Sequence, residues 1–323
     1  MEPNFHFADE MISVVEAPAV PTVWSPTLDH SPEIKNLDPD LLDAGLSRLR
    51  NALQGRARAG WSLDGPDLEF MRKQDRIWDF LLDHYFRVET DGWENVPAGP
   101  CLFVGIHSGT WLTMDAWTLC AEWWRRFGTS RILHGTAHDA LMAMPVIGSY
   151  FRKVGVIPAS RTAVTQALEE GHDVVVWPGG EVDSMRNWTK RDKVVLGGRQ
   201  GFIRQAMASG VPIVPVATVG GHDTVFVLSE ARGLAKALRL KKLIRSDIAP
   251  LTLGFPFGLT FEALPMHLPL PAKIRTRFLP PLELDPDRGD DILYRQAAYQ
   301  EVEDRIQAGV NELAKKRRFP IFG

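Results

Sequence analysis

The sequence predicts an α/β fold, a mostly parallel mixed sheet flanked by helices and preceded by an N-terminal helical section. Two observations predict it. From Pro100 onward, short β-branched or apolar runs alternate with helical stretches, the rhythm of crossover-connected strands. Before Pro100, two stretches carry helical spacing instead. No internal repeat is found, so one α/β domain behind a helical section is the economical reading.

Residues 1 to about 40 are proline-rich, with "EAPAVPTVWSPTLDHSP", and hold no sustained period, which reads as an extended arm or disordered tail. "LDPDLLDAGLSRLRNAL", reaching about Leu53, and Pro66–Phe86, with apolar residues at Leu68, Met71, Ile77, Phe80, Leu81 and Tyr85, read as helices. The expected division is an arm and helix over 1–55 and the α/β domain over 56–323. Within the latter, strands are expected at "CLFVGI", "RILHG", "VGVI", "DVVVW", "VPIVPVA" and "TVFVL". Helices are expected over Met114–Phe127, Ala140–Phe151, Thr162–Glu169 and Arg199–Ala208. "AKIRTRFLPPLEL" reads as a late strand and Asp290–Lys316 as a closing helix.

The formal net charge of −3 gives no global basic field for nucleic acid, and no nucleic-acid partner is expected. Two cysteines, Cys101 and Cys120, support neither a disulfide framework nor a zinc cluster, which points to a reducing, cytoplasmic setting. The first residues, "MEPNFHFADE", are acidic where a secretory signal would be positive. The longest apolar stretch, Ile248–Ala272, is broken by Pro250, Pro256, Pro265, Pro269 and Pro271, so no spanning helix is expected there. Contact with a membrane surface stays open.

Chemistry in such sheets gathers where strands end. His107 follows "CLFVGI" directly, and Asp115 falls in the first turn of the next expected helix. A neutral imidazole there can take a proton from a hydroxyl, and a carboxylate on its other nitrogen fixes the tautomer. A lone histidine at a strand end is more often a packed ring, and that reading stands beside the catalytic one. A serine-hydrolase elbow needs Gly-x-Ser-x-Gly, but Gly105-Ile106-His107-Ser108-Gly109 puts histidine in the nucleophile's place. A metal site has only His134, His138 and Asp139 as local candidates, and none is expected. A second cluster, "VVVWPGGEVDSMRNW", ends a buried strand in a Pro-Gly-Gly turn. Glu181, Asp183 and Arg186 are expected to present charge at the mouth of the sheet, on the edge His107 occupies. It lacks the ending of a nucleotide-binding P-loop.

"GIHSGTWLTMD", "RKVGVIPASR", "VWPGGEVDSMR" and "GVPIVPV" resemble, in order, the four sequence blocks of the glycerolipid acyltransferase superfamily, in its lysophosphatidic-acid acyltransferase-like and diacylglycerol acyltransferase-like bacterial branches. The resemblance covers about residues 75–310. Two departures stand out: seven residues rather than four separate His107 from Asp115, and Trp177-Pro178-Gly179-Gly180-Glu181 replaces the usual Phe-Pro-Glu-Gly. The wider spacing is compatible with a wider turn, and the Pro-Gly-Gly form is closer to the diacylglycerol acyltransferase-like branch.

The resemblance implies an O-acyltransferase with His107 as general base and Asp115 as its partner. It implies acyl-CoA or an acyl carrier protein as co-substrate, no bound cofactor, and a glycerolipid acceptor. It places Arg152, Ser160, Arg161, Gly179, Gly180, Glu181 and Arg186 at the substrates. A lipid substrate implies a membrane surface, on its cytoplasmic face. "ARGLAKALRLKKLIR" (Ala231–Arg245) reads as a basic amphipathic helix for it, with Lys236, Arg239, Lys241 and Lys242 among its cations, or equally as a solvated helix packing its leucines on the domain. Trp123 and Trp124 are further interface candidates, or core and oligomer contacts. The rivals are acylation of another lipid alcohol, a non-catalytic lipid-binding or transfer protein, and a hydrolase. The sequence leaves the acceptor, acyl length and oligomeric state open.

Overall fold

The computed structural model describes residues 59–240, 247–262, 267–319 and 321, with scattered positions between 45 and 56. The proline-rich arm and most of the helix expected up to Leu53 lie outside the described residues. The first long helix, α1 (Leu68–Phe80), starts where Asp67 Oδ1 accepts from the Phe70 N–H at 3.1 Å, and it runs into a π turn over Leu81–Tyr85.

A seven-stranded sheet forms the centre, in the order β1 (Glu89–Asp91), β10 (Arg275–Phe278), β6 (Ile213–Val219), β2 (Leu102–Val104), β5 (Asp173–Val176), β3 (Leu133–Ala137), β4 (Ile157–Pro158). The run from β6 to β4 is parallel, while β10 pairs antiparallel with β6. β2 is covered on both faces, as parallel strands must be. Its alternate residues serve different layers. Leu102 and Val104 pack on the side of α5 (Arg161–Glu169), α7 (Gly201–Ser209) and the closing helix α9 (Ile292–Lys315). Phe103 packs against Leu119 and Trp123 of α2 (Met114–Phe127). Helix α9 buries Val302, Ile306, Val310 and Leu313, spaced three or four apart on one stripe.

Three regions differ from expectation. The helix expected over Ala140–Phe151 is two, α3 (Asp139–Ala143) and α4 (Pro145–Lys153). Met144 between them is extended (φ −69°, ψ 133°), because Pro145 excludes the helical conformation from the residue before it. The basic helix expected over Ala231–Arg245 is interrupted: α8 spans Arg232–Ala237, and Arg239 turns left-handed at φ 52°. Lys236 and Arg239 are exposed, whereas Lys241 and Lys242 lie outside the described residues. The proline-broken apolar stretch supplies strands that the sequence reading missed. β8 (Leu251–Gly254) and β9 (Gly258–Phe261) form a hairpin beside β7 (Phe226–Ser229), in a second, antiparallel sheet. Among the described residues, no helix is long and apolar enough to cross a membrane.

Candidate active site

β2 and β5 are parallel neighbours, so their carboxyl ends open together. Two residues beyond β2, Gly105-Ile106, deliver His107; one residue beyond β5 comes Trp177. Their rings stack with centroids 4.6 Å apart and planes 10° from parallel. A side chain at Gly105 would come within 3.0 Å of the Trp177 indole nitrogen, so glycine leaves room for the indole.

His107 Nδ1 lies 3.2 Å from Asp115 Oδ2. The seven intervening residues coil in a turn that passes through φ 85° at Gly109 and φ 63° at Thr110. A threonine at that angle is strained. It is held by its N–H donating to the Ser184 carbonyl and its hydroxyl donating to Glu262, both at 3.0 Å. Asp115 then enters the first turn of α2, 2% exposed, and its Oδ1 accepts from the Ser108 N–H at 2.9 Å and from Ser108 Oγ at 3.0 Å. A carboxylate facing Nδ1 puts the ring proton there and leaves the Nε2 lone pair basic. The imidazole is partly exposed, at 16%, and borders the groove.

That groove encloses about 760 Å³. Residues of α2 and β3, among them Trp117, Cys120 and Leu133, give it apolar walls. Cys120 is no rival nucleophile: burial, with Asp115 nearby, pushes its thiol up to about 12, so it stays protonated. Ser160, Arg161, Gly180 and Glu181 also line the groove. Ser160 caps α5 by accepting from the Ala163 N–H, and Arg161 is exposed at the start of that helix. Glu181 pairs with Arg199 at 3.3 Å, and Arg199 also donates to the carbonyls of Pro178 and Gly179. Gly179 packs so tightly on the Val195 carbonyl and Asp183 that no side chain fits there.

Three residues expected at the substrates do not line the groove: Gly179, Arg186 and Arg152. Arg186 is not at the mouth of the sheet: it is 2% exposed, ion-paired with Asp183, and donates to the carbonyls of His107, Asp183, Lys190 and Arg191. Asp183 in turn accepts from the His107 N–H. Burial outweighs the opposing pull of Arg186 and the His107 N–H, and this carboxyl is pushed up to about 6. The pair clamps the backbone of His107 from beneath. Arg152 turns aside and donates to the Met142 carbonyl at 3.1 Å.

His134 does not join His138 in a ligand set: its ring nitrogens lie 2.7 Å from the Gly155 carbonyl and 3.1 Å from His172 Nδ1. Sequence reasoning missed Trp177, Arg199 and Glu262 as parts of the site. Trp177 stands in the Pro-Gly-Gly block, where the strand-end argument could have reached it, whereas Arg199 meets that turn only in space, through the Pro178 and Gly179 carbonyls. Glu262 carries no local signal, being 152 residues from Thr110.

An acyltransferase family model matches residues 87–219, which span β2 to β6 and both halves of the His107 site. An uncharacterized protein of Mycobacterium bovis is 29% identical over 248 residues, covering 76% of this chain and 66% of its own length. Diacylglycerol O-acyltransferase 2 of Xenopus laevis is 26% identical over 156 residues, covering 46% of this chain and 42% of its own. The crystal structure of a 1-acyl-sn-glycerophosphate acyltransferase from Thermotoga maritima superposes with a TM-score of 0.45 at 17% identity, covering 84% of this chain and 96% of that one. The chain thus spans just under two thirds of the mycobacterial relative and less than half of the amphibian enzyme. Residues 87–219 therefore carry an acyltransferase-family match, and the chain is similar to enzymes such as diacylglycerol O-acyltransferase 2.

Proposed function

We propose that the chain moves a fatty acyl group from a thioester, acyl-CoA or an acyl carrier protein, to a hydroxyl of a glycerolipid acceptor of the lysophospholipid or diacylglycerol type. The observation that carries this reading is the His107–Asp115 pair at the border of an apolar groove of about 760 Å³, a volume within the usual range for small-molecule sites. His107 Nε2 takes the acceptor's hydroxyl proton as the oxygen attacks the thioester carbonyl carbon. The tetrahedral oxyanion collapses, the C–S bond breaks, and the departing sulfur takes the proton back from Nε2. Asp115 holds the ring in the needed tautomer and balances the imidazolium charge. Arg161 and Arg199, both exposed beside the groove, suit the phosphates of a donor or headgroup. Arg186 and Asp183 act through the backbone of His107 and touch no substrate.

The test is release of free thiol from acyl-CoA in the presence of a lysophospholipid or diacylglycerol. Thiol release that depends on the acceptor and disappears in His107→Ala supports the reading. Activity that survives in that variant overturns it, and thiol release without any acceptor identifies a hydrolase.

A further inference from the structure

The β8–β9 hairpin is built inside out. Where one face of an antiparallel pair is buried, the apolar residues ordinarily point inward. Here the inward face is polar: Thr252 is fully buried, and Thr260, Glu262 and His267 gather around it. His267 Nδ1 lies 3.2 Å from Glu262 Oε2, and its Nε2 lies 3.0 Å from the Gly258 carbonyl. The apolar side chains point out. Leu253 and Leu259 are cross-strand partners, 44% and 59% exposed, and Phe261 beside them is 53% exposed. At the tip, Phe255 and Phe257 are 61% and 60% exposed. A slip of one residue in strand pairing would turn the outward set inward. The buried Glu262–His267 pair opposes that slip. A contiguous apolar surface of this kind marks a binding face.

Cations stand beside it. β7 leads into α8, where Arg232, paired with Glu230 at 2.7 Å, and Lys236 are exposed, Arg239 is exposed just beyond it, and residues 231–245 carry six cations and no acid. We infer that this face docks on a lipid bilayer bearing anionic headgroups, with Phe255 and Phe257 entering the interfacial layer and the α8 cations meeting the phosphates. A second copy of the chain is a poorer occupant, because a two-fold pairing through the hairpins would bring the same cations together. The anchorage reaches the reaction centre directly. Glu262 accepts from Thr110 Oγ1 at 3.0 Å and, through its carbonyl, from the Trp111 indole N–H at 3.1 Å. Both donors sit on the turn between His107 and Asp115. The docking proposal takes its purpose, though not its evidence, from the acyl-transfer reading.

The experiment is co-sedimentation of the full chain with vesicles of phosphatidylcholine alone and of phosphatidylcholine mixed with phosphatidylglycerol. Wild type should bind the mixed vesicles and bind the neutral ones more weakly. Phe255→Ser with Phe257→Ser should lower partitioning by about tenfold on both. Lys236→Glu with Arg239→Glu should weaken binding to the mixed vesicles alone. All these side chains are exposed, so thermal midpoints should match wild type. A Phe257→Cys variant carrying an environment-sensitive fluorophore on the introduced thiol gives a second readout, a blue shift of the label's emission on mixed vesicles. Wild type that stays in solution with both vesicle types, serine variants that bind like wild type, or an unshifted emission from the labelled Phe257→Cys variant would each overturn the docking. So would a lipid-free dimer that the serine pair abolishes, which would assign the face to a second copy. His107→Ala should still bind vesicles, so vesicle binding without thiol release counts against the acyl-transfer reading alone.

Discussion

Two histidine–carboxylate pairs in this chain have the same separation and opposite surroundings. His107 and Asp115 are 3.2 Å apart, as are His267 and Glu262. The first imidazole is partly exposed beside a groove, with Nε2 left for a substrate. The second is sealed from solvent, and its Nε2 faces the Gly258 carbonyl. The pairing chemistry is therefore common to both, and access separates the proposed reaction centre from a structural tie. The sealed pair also serves the open one, since Glu262 steadies the turn that carries Asp115 to His107.

Substitution should separate the two roles. The largest effect is expected for His107→Ala: acceptor-dependent thiol release should fall by about 10²–10⁴-fold with the unfolding transition unchanged, as measured by single-turnover assay and circular dichroism. Asp115→Asn should follow at about 10²-fold, because an amide neither balances the imidazolium nor fixes the ring proton, and substrate affinity should change little. His267→Ala should act in the other direction, on stability. It leaves a buried carboxylate without its partner and should cost about 1–3 kcal/mol in urea denaturation, while the chemical step retains its pH dependence.

The smallest effect concerns His222, which lies in a third environment, fully buried. Burial, reinforced by Arg186, Arg191 and Arg317, holds it well below the ordinary histidine value, so it stays neutral in the fold. The unfolded chain takes up a proton there near pH 6.5, and the folded chain does not. The stability His222 contributes is therefore complete above that pH and lost as pH falls below it. Denaturation midpoints at pH 7.5 and 5.5 should differ more for wild type than for His222→Gln. An equal difference would show that His222 does not titrate on unfolding.

What was legible in the sequence was whatever local periodicity controls. Met114–Phe127 is helical over the span its spacing predicts, and the buried run "DVVVW" supplies a central strand. Where one residue overrides the period, the reading failed, as at Met144 before Pro145 and at Arg239 in the left-handed region. β8 and β9 escaped because their outward positions are apolar, which reads as a buried run cut by prolines. The meeting of His107 with Asp115 depends on a turn whose shape Thr110 and Glu262 fix across 152 residues, and no local pattern reports such a contact. Arg186 illustrates a further gap. Composition marks it as charge for a surface, and only three-dimensional placement reveals four backbone carbonyls waiting for its donors.

The tryptophan of the Pro-Gly-Gly block has a consequence for the reaction itself. Because the indole lies flat over the His107 ring, one face of the imidazole is closed, and in the proposed reaction a hydroxyl would reach the in-plane Nε2 lone pair from the edge or the open side. Once the proton has moved, the ring becomes a cation resting on an electron-rich surface, an arrangement that favours it. On the proposed mechanism the block therefore does more than shape a turn: it restricts the approach to one side of the ring and steadies the charged form of the base while the acyl group is in transit.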